Sequence, residues 1–325
     1  MRLRDKIYSG LRMIHSRLLN KRIPLIVGWS ITTRCHSRCE YCKAWHIKSE
    51  ELGTKQVLSI IEEVSRMGGR KIQFTGGEPL LREDIGQIVD FCKAKGIDTG
   101  INSSGVSVKK GIAGLKNLDL LSLSLDGRQP THDRLRGEGS YLQVVETAKI
   151  ARGNGIKLRF TAVLSKFNLN DIEFILERAR EFEAPVLFQP STLNRLRSGD
   201  PNPVVASEKE YRRAISDLLI KKDKNKYIAN SLDGLRHLYN WPEKTPIACR
   251  KALVACRIEP NGDVYICPRM KEKVKPLNCA RESFKKAFYN LPLFSCDACW
   301  CAANVELNCL LSFRPSAVRN AIKLI

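Results

Sequence analysis

The chain is poor in acid. Its 325 residues include 34 Asp and Glu against 55 Lys and Arg, a formal net charge of +21. Such an imbalance suits an anionic partner (nucleic acid, an acidic peptide or an anionic membrane surface), and it equally suits plain solvated basic faces. Long apolar runs are missing. No stretch of about 18 apolar residues occurs, so no transmembrane helix is expected. The opening "MRLRDKIYSGLRMIHSRLLNKR" lacks the apolar core of a secretory signal. A cytosolic chain is expected, at most peripheral at the inner membrane surface. Low-complexity tracts and internal repeats are also missing, apart from an alternation of strand and helix patterns.

Cysteine is what the chain has in quantity, with twelve residues. Disulfide frameworks belong mainly to small secreted chains, and a reducing compartment keeps thiols free. The distribution is uneven: three cysteines lie near the start, eight lie between Cys249 and Cys309, and Cys92 stands alone. Clustering with CxxC spacing marks metal ligation. Cys92, in "IVDFCKAKG", reads as a small buried residue on a helix.

From residue 24 to about 220, strand and helix patterns alternate. "LIVGWS", "KIQFT", "DTGIN", "LDLLSLSLD", "KLRFTAVL" and "PVLFQP" read as strands. "TKQVLSIIEEVSRMGG" is an amphipathic helix with Val57, Ile60, Ile61 and Val64 on one face. The spacing predicts an α/β fold with a parallel sheet, either doubly wound or a partial (β/α)6 TIM-like barrel, whose site lies at the carboxyl ends of the strands. "WPEKTP" (Trp241 to Pro246) is a linker candidate. Beyond it lie a hairpin signal in "CRIEPNGDVYIC", with Asn261–Gly262 at its turn, and a short helix in "ARESFKKAFYN". The expected organisation is a basic amphipathic helix over 1–23, the barrel over 24–240, a small cysteine-rich domain over 241–312 and a basic helix over 313–325.

The loop after the first strand, "TTRCHSRCEYCKAW", holds Cys35, Cys39 and Cys42 as CxxxCxxC. Three thiolates fall short of the four ligands of a closed zinc or iron–sulfur site. Either His36 or His46 completes a zinc site, or one iron of a 4Fe–4S cluster is left open for a substrate or cofactor. Further motifs sit at the ends of the next strands: "TGGEP" with Gly76, Gly77 and Glu78, "INSSG" with Asn102, "LSLSLDG" with Ser124 and Asp126, and then "THDRLRGEGSY" with Arg136.

Over residues 24–190 these motifs resemble the radical S-adenosylmethionine superfamily, whose signature is CxxxCxxC with an aromatic, here Tyr41, before the last cysteine. The resemblance implies that Cys35, Cys39 and Cys42 hold a 4Fe–4S cluster. S-adenosylmethionine would occupy its open iron, and reductive cleavage would release a 5′-deoxyadenosyl radical. It further implies that the Gly76–Gly77–Glu78 turn meets the cofactor's amino group, that Asn102 belongs to the cofactor site, that Ser124 and Asp126 meet the ribose and methionyl groups, and that Arg136 meets the carboxylate. An electron donor such as flavodoxin or ferredoxin is implied as a partner.

The second cysteine group is similar to the SPASM and twitch extensions of the same superfamily. That likeness assigns Cys249, Cys267, Cys296 and Cys299 to one auxiliary 4Fe–4S cluster, and leaves Cys256, Cys279, Cys301 and Cys309 without a role. The alternative is a zinc knuckle. At the two ends, the stripes Ile7, Leu11, Ile14, Leu18 and Val318, Ile322, Ile325 lie among basic residues. They are expected to pack on the barrel, with contact to an anionic membrane as the alternative. The expected function is hydrogen abstraction from a peptide. Lipid or glycan modification, RNA modification and a non-enzymatic, zinc-stapled nucleic-acid binder remain as alternatives; no recognised RNA-binding module is present.

Overall fold

Six parallel strands lie side by side in chain order: β1 (Ile26–Thr32), β2 (Lys71–Gly76), β3 (Asp98–Ser103), β4 (Leu120–Ser124), β5 (Leu158–Leu164) and β6 (Val186–Pro190). The computed structural model describes residues 3–42, 44–46, 48–105, 114–195, 198–270, 274–293, 296 and 298–323. Strand side chains alternate between the two faces of the sheet. Val27, Trp29, Ile31, Ile72, Phe74, Ile101, Leu121, Leu123, Phe160, Ala162 and Leu164 share one core with the helices that follow the strands. Helix Thr54–Arg66 buries the stripe expected of it, Val57, Ile60, Ile61 and Val64. Cys92 is fully buried on helix Ile85–Ala94, as its setting predicts.

The intervening strand residues are largely polar: Ser30, Gln73, Thr75, Asn102, Ser122, Ser124, Arg159 and Thr161. They line the face opposite the helices. In β4, Ser122 and Ser124 turn to this inner side, while Leu121 and Leu123 meet the helices. A sheet apolar on one face and polar on the other suits a half-closed barrel that receives a polar ligand.

The sheet does not stop at the sixth strand. β7 (Ala255–Ile258) pairs parallel with β1, and β8 (Asp263–Tyr265) and β9 (Leu277–Asn278) continue antiparallel. The strand order is β6-β5-β4-β3-β2-β1-β7-β8-β9. The hairpin is present, but its turn is longer than the Asn261–Gly262 pair suggests. Glu259 N donates to Asp263 O at 2.8 Å, and the Asn261 side chain accepts from Asp263 N at 3.2 Å. That side-chain bond favours a wider Asx-type turn over a two-residue one.

The hydrophobic core likewise runs past residue 241. Trp241 is buried and packs on Tyr211 with ring centroids 4.7 Å apart, which anchors the expected linker. Val264, Ile266, Phe284 and Phe288 belong to the same core as Trp29 and Phe74. The expected short helix is Phe284–Tyr289, and its Phe284 N donates to Glu63 Oε2 at 2.8 Å.

Both end segments form helices, Leu3–Leu18 and Pro315–Lys323, and both sit the other way round from the packing expected of them. In the first, Ser16 is buried while Leu11, Ile14 and Leu18 are 61%, 43% and 68% exposed. In the second, Asn320 is buried and donates to Ala229 O at 2.8 Å, while Ile322 is exposed. Ile325 lies outside the described residues. Each helix is held by hydrogen bonds from its polar edge together with apolar contacts off the expected stripe, at Met13 in the first and Ala317 in the second. Among the described residues, no helix is long and apolar enough to cross a membrane.

A shared core has a measurable consequence. Phe284→Ala should cost about 3–5 kcal/mol and shift a single cooperative unfolding transition. Two transitions, with only the smaller one moved, would mean that the cysteine-rich segment folds on its own.

Candidate active site

The carboxyl ends of β1 to β5 meet at one end of the sheet, and the motif residues gather there. The cysteine loop leaves β1 at Thr32, where Glu51 fastens it. The Glu51 carboxylate accepts from Thr32 Oγ1 and Thr33 N, each at 2.7 Å. From there the chain runs through Cys35, Cys39 and Cys42. Cys39 and Tyr41 pack with Leu135 and Val204, with Cys42 against them.

The three thiols lie close enough to affect one another. Burial pushes Cys35 up to about 11, with Cys39, Glu78 and Cys42 adding to the rise. Burial also raises Cys39, opposed by Arg136. Its sulfur stands 3.8 Å from Arg136 Nη1. Among the described residues, no group of three His, Cys, Asp or Glu side chains is placed to hold a single metal ion. A 4Fe–4S cluster asks for a different spacing, because each thiolate binds its own iron. Buried Cys39 and half-buried Cys35 and Cys42, which would repel one another as bare thiolates, stand on one loop beside a guanidinium and fit that demand: bound iron would supply the charge that favours the thiolates.

The Gly76–Gly77 turn is shaped by the cysteine loop itself. Gly76 has φ +129°, and a Cβ there would strike Thr32 O; one at Gly77 would strike Arg34 O. Gly77 N donates to Thr32 O at 2.8 Å and Glu78 N to Arg34 O at 2.7 Å. The glycines therefore let two backbones meet, and these amides are already engaged by protein. Glu78 is buried, and its carboxylate accepts from Ser104 N and Ser104 Oγ, both at 2.8 Å. Ser37 Oγ in turn donates to Ser104 Oγ at 2.9 Å. Glu78 thus braces the turn, the end of β3 and the cysteine loop together. Asn102 accepts from Gln73 Nε2 at 3.0 Å on the inner face. Ser124, half-buried, stands opposite Thr161.

Asp126 is placed differently from the expectation that it meets the ribose. It is fully buried and both of its oxygens are engaged by protein. Oδ2 accepts from Tyr41 OH at 3.0 Å and from Arg136 Nε at 2.6 Å, and Oδ1 accepts from Val163 N at 2.8 Å. Oδ2 is thus filled by two donors, while Oδ1 accepts one and keeps a single acceptor site that burial closes to solvent. Its backbone is held as well: Asp126 N donates to His132 Nδ1 at 3.1 Å, and Asp126 O accepts from Asn168 Nδ2 at 2.7 Å. Burial, with Arg136 adding to it, pushes His132 down to about 4, so the ring stays neutral and accepts. Arg136 has spent Nε on Asp126 and points Nη1 at Cys39; the remaining part of its five-donor fork can still meet a carboxylate.

A second group of thiols forms beside β7. Cys249, Cys267, Cys296 and Cys299 influence one another, as the expected ligand set requires, and Cys301 joins them next to Cys299 and Cys267. Burial pushes Cys299 up to about 12, with Cys301 next in effect. Four or five crowded thiols are unfavourable as bare thiolates and favourable around a metal cluster. Cys301 was left unassigned by the sequence, although its place two residues after the CxxC was a signal. Cys256 and Cys279 are sealed in the main core, and Cys309 sits in a separate cluster with Leu238 and Val305.

This chain is similar to several known proteins. Residues 29–179 match the radical SAM superfamily. Mycofactocin maturase MftC of Mycobacterium ulcerans is 26% identical over 285 residues, covering 83% of this chain and 76% of the relative. Fe-coproporphyrin III synthase of Methanosarcina barkeri is 30% identical over 49% of this chain and 42% of its own. PqqA peptide cyclase of Ruegeria pomeroyi is 30% identical over 50% of this chain and 45% of its own. This chain therefore spans less than half the length of the last two. Streptococcus suis SuiB bound to S-adenosylmethionine superposes with a TM-score of 0.71 at 18% identity, over 86% of this chain and 69% of SuiB. That likeness fixes the fold as a partial TIM-like barrel. The matched segment, residues 29–179, holds the cysteine loop, the Gly76–Gly77–Glu78 turn, Asn102, Ser124, Asp126 and Arg136, so the likeness to the radical SAM superfamily covers the candidate site.

Proposed function

We propose that this chain is a radical S-adenosylmethionine enzyme that abstracts hydrogen from a peptide. One observation carries the reading: the three-thiol loop after β1 stands among Glu78, Asn102, Ser124 and Arg136, at the ends of consecutive parallel strands or just beyond them. Cys35, Cys39 and Cys42 are the residues that would hold a 4Fe–4S cluster. Bound there with S-adenosylmethionine, the cluster would supply one-electron cleavage of the sulfonium and a 5′-deoxyadenosyl radical.

The chain's own residues set the geometry around it. Arg136, locked on Asp126, offers its remaining donors to the cofactor's carboxylate. Ser124 and Asn102 offer polar groups to the ribose, for which Asp126 keeps only the remaining acceptor site of Oδ1. Carbonyl oxygens of the Gly76–Gly77 turn can accept from the cofactor's ammonium, whereas the amides of Gly77 and Glu78 are donors already committed to Thr32 O and Arg34 O. Cys249, Cys267, Cys296 and Cys299, with Cys301 adjacent, would hold one auxiliary cluster. Four thiolates leave no open iron, which suits electron transfer.

A peptide substrate is supported by the naming of PqqA peptide cyclase as a relative and by a SuiB structure bound to its precursor peptide SuiA. Fe-coproporphyrin III synthase supports a cofactor precursor as the second reading. The excess of basic residues favours an acidic peptide. A flavodoxin or ferredoxin is the proposed electron donor. Contact with an anionic membrane is supported by the outward stripe of Leu11, Ile14 and Leu18, which lies among basic residues on the first helix.

Anaerobically purified protein should be brown, with iron and sulfide for two clusters. With a reductant and S-adenosylmethionine it should form 5′-deoxyadenosine. Replacing Cys35, Cys39 and Cys42 by Ala should abolish that product, and persistence of the product would sink the assignment. In flotation assays the protein should rise with phosphatidylglycerol vesicles and not with phosphatidylcholine vesicles. Leu11→Lys with Leu18→Lys should reduce that binding at least tenfold; unchanged flotation removes the membrane contact.

A further inference from the structure

Below the cysteine loop, the inner face of the sheet carries cations for which the protein supplies few counter-charges. Arg257 on β7 is satisfied, since Nε donates to Glu259 Oε1 at 2.8 Å and Nη2 reaches Ser30 Oγ. Lys71, at the start of β2, has Asp98 and Asp119 nearby. Arg159 on β5 differs from both. Its Nε is buried without a hydrogen-bond partner among the described residues. No carboxylate acts on it, and burial alone holds it below the usual guanidinium range. Lys71 adds to the crowding, because Arg159 acts on it as a neighbouring cation.

The residue opposite Arg159 in the β4–β5 register is Ser122. Its Oγ is also buried without a partner among the described residues. Two adjacent donors without hydrogen-bond partners among the described residues, Arg159 Nε and the Ser122 hydroxyl, therefore share the inner face. Arg159 as a whole is half-buried, so its guanidinium keeps some contact with solvent while its Nε is sealed, and removing part of a charge from water without a counter-ion is costly. A sheet that keeps such a cation beside an unused hydroxyl has a place for an anion that arrives with a ligand.

We infer that Arg159 and Ser122 form a subsite for a carboxylate of the substrate. The inference rests on the peptide-modifying reading above and deepens it. Four residues separate Arg159 from Val163, whose amide is bonded to Asp126 just beneath the cysteine loop. At roughly 3.3 Å per strand residue, the subsite lies about 13 Å below that level. A peptide that places its reacting residue near the loop therefore reaches Arg159 with a carboxylate about four extended residues away, or nearer if carried on a long side chain. The carboxylate is either an acidic side chain or the peptide's carboxyl terminus.

The test uses the cluster-loaded protein and three capped probes: a tetrapeptide ending in glutamate amide, its glutamine counterpart, and acetyl-tetra-alanine as the free acid. Calorimetry should detect binding of at least one of the two carboxylate probes. The glutamate amide marks a side-chain source, and the free acid a terminal one. The glutamine probe should bind at least tenfold more weakly, and Arg159→Met should weaken the carboxylate probes at least tenfold. Without any probe, Arg159→Met should keep or raise the melting temperature, since it removes an uncompensated charge; a merely structural arginine would lower it. Equal binding of the glutamate and glutamine probes, no binding of either carboxylate, or a lowered melting temperature in the variant would each overturn the subsite. Deoxyadenosine formation by the same wild-type preparation reports on the enzymatic reading separately.

Discussion

The buried carboxylate of Asp126 is the constraint on which the upper end of the barrel depends. It joins Tyr41 of the cysteine loop, Arg136 of the helix after β4, and the β5 backbone at Val163. Its main chain adds His132 and Asn168. No other residue of the site ties so many segments together. Arg136 reaches Cys39 because Asp126 holds its other nitrogen. A buried ion pair of this sort contributes little net stability, yet removing one partner costs about 3–5 kcal/mol, since the other charge is left stranded. The pair therefore acts as a lock on geometry, which is what a loop of three thiols needs if iron is to find them already in place.

A second chain of bonds does the same on the opposite side. Glu78, Ser104 and Ser37 connect the ends of β2 and β3 to the cysteine loop. Gly76 and Gly77 admit the loop's backbone from below. The loop is thus gripped from the ends of four strands. β1 carries this loop and also pairs with β7, which leads into the second group of thiols. One central strand therefore positions both candidate cluster sites within a common sheet and core. An electron path between them would run through a rigid scaffold and not across a hinge.

Polarity is inverted in two places, and each inversion coincides with a proposed contact. The inner sheet face holds Arg159 Nε and Ser122 Oγ without hydrogen-bond partners among the described residues, and the terminal helices turn apolar residues to the outside. Packing alone would have reversed both arrangements.

Much of this was legible along the chain. The alternation of strand and helix patterns, the stripe Val57, Ile60, Ile61, Val64, the buried Cys92 and the strand-end motifs all depend on neighbours within a few residues. Local spacing sets such features, so reading the chain in order finds them. The role of Asp126 was not legible, because a motif shows that a carboxylate is present and not which donors fold around it. The pairing of β7 with β1 brings together residues more than two hundred positions apart, and no local pattern encodes it. The same holds for Cys301 joining the second thiol group, for Ser122 facing Arg159, and for Ser16 turning inward while Leu11 turns out. The sequence by itself determined the element types, the parallel architecture and the thiol-bearing loops, through periodicity and short-range spacing. Tertiary structure alone decided which polar groups are satisfied by protein and which are left for a ligand, because that depends on long-range packing that exhausts the donors of some residues and strands those of others.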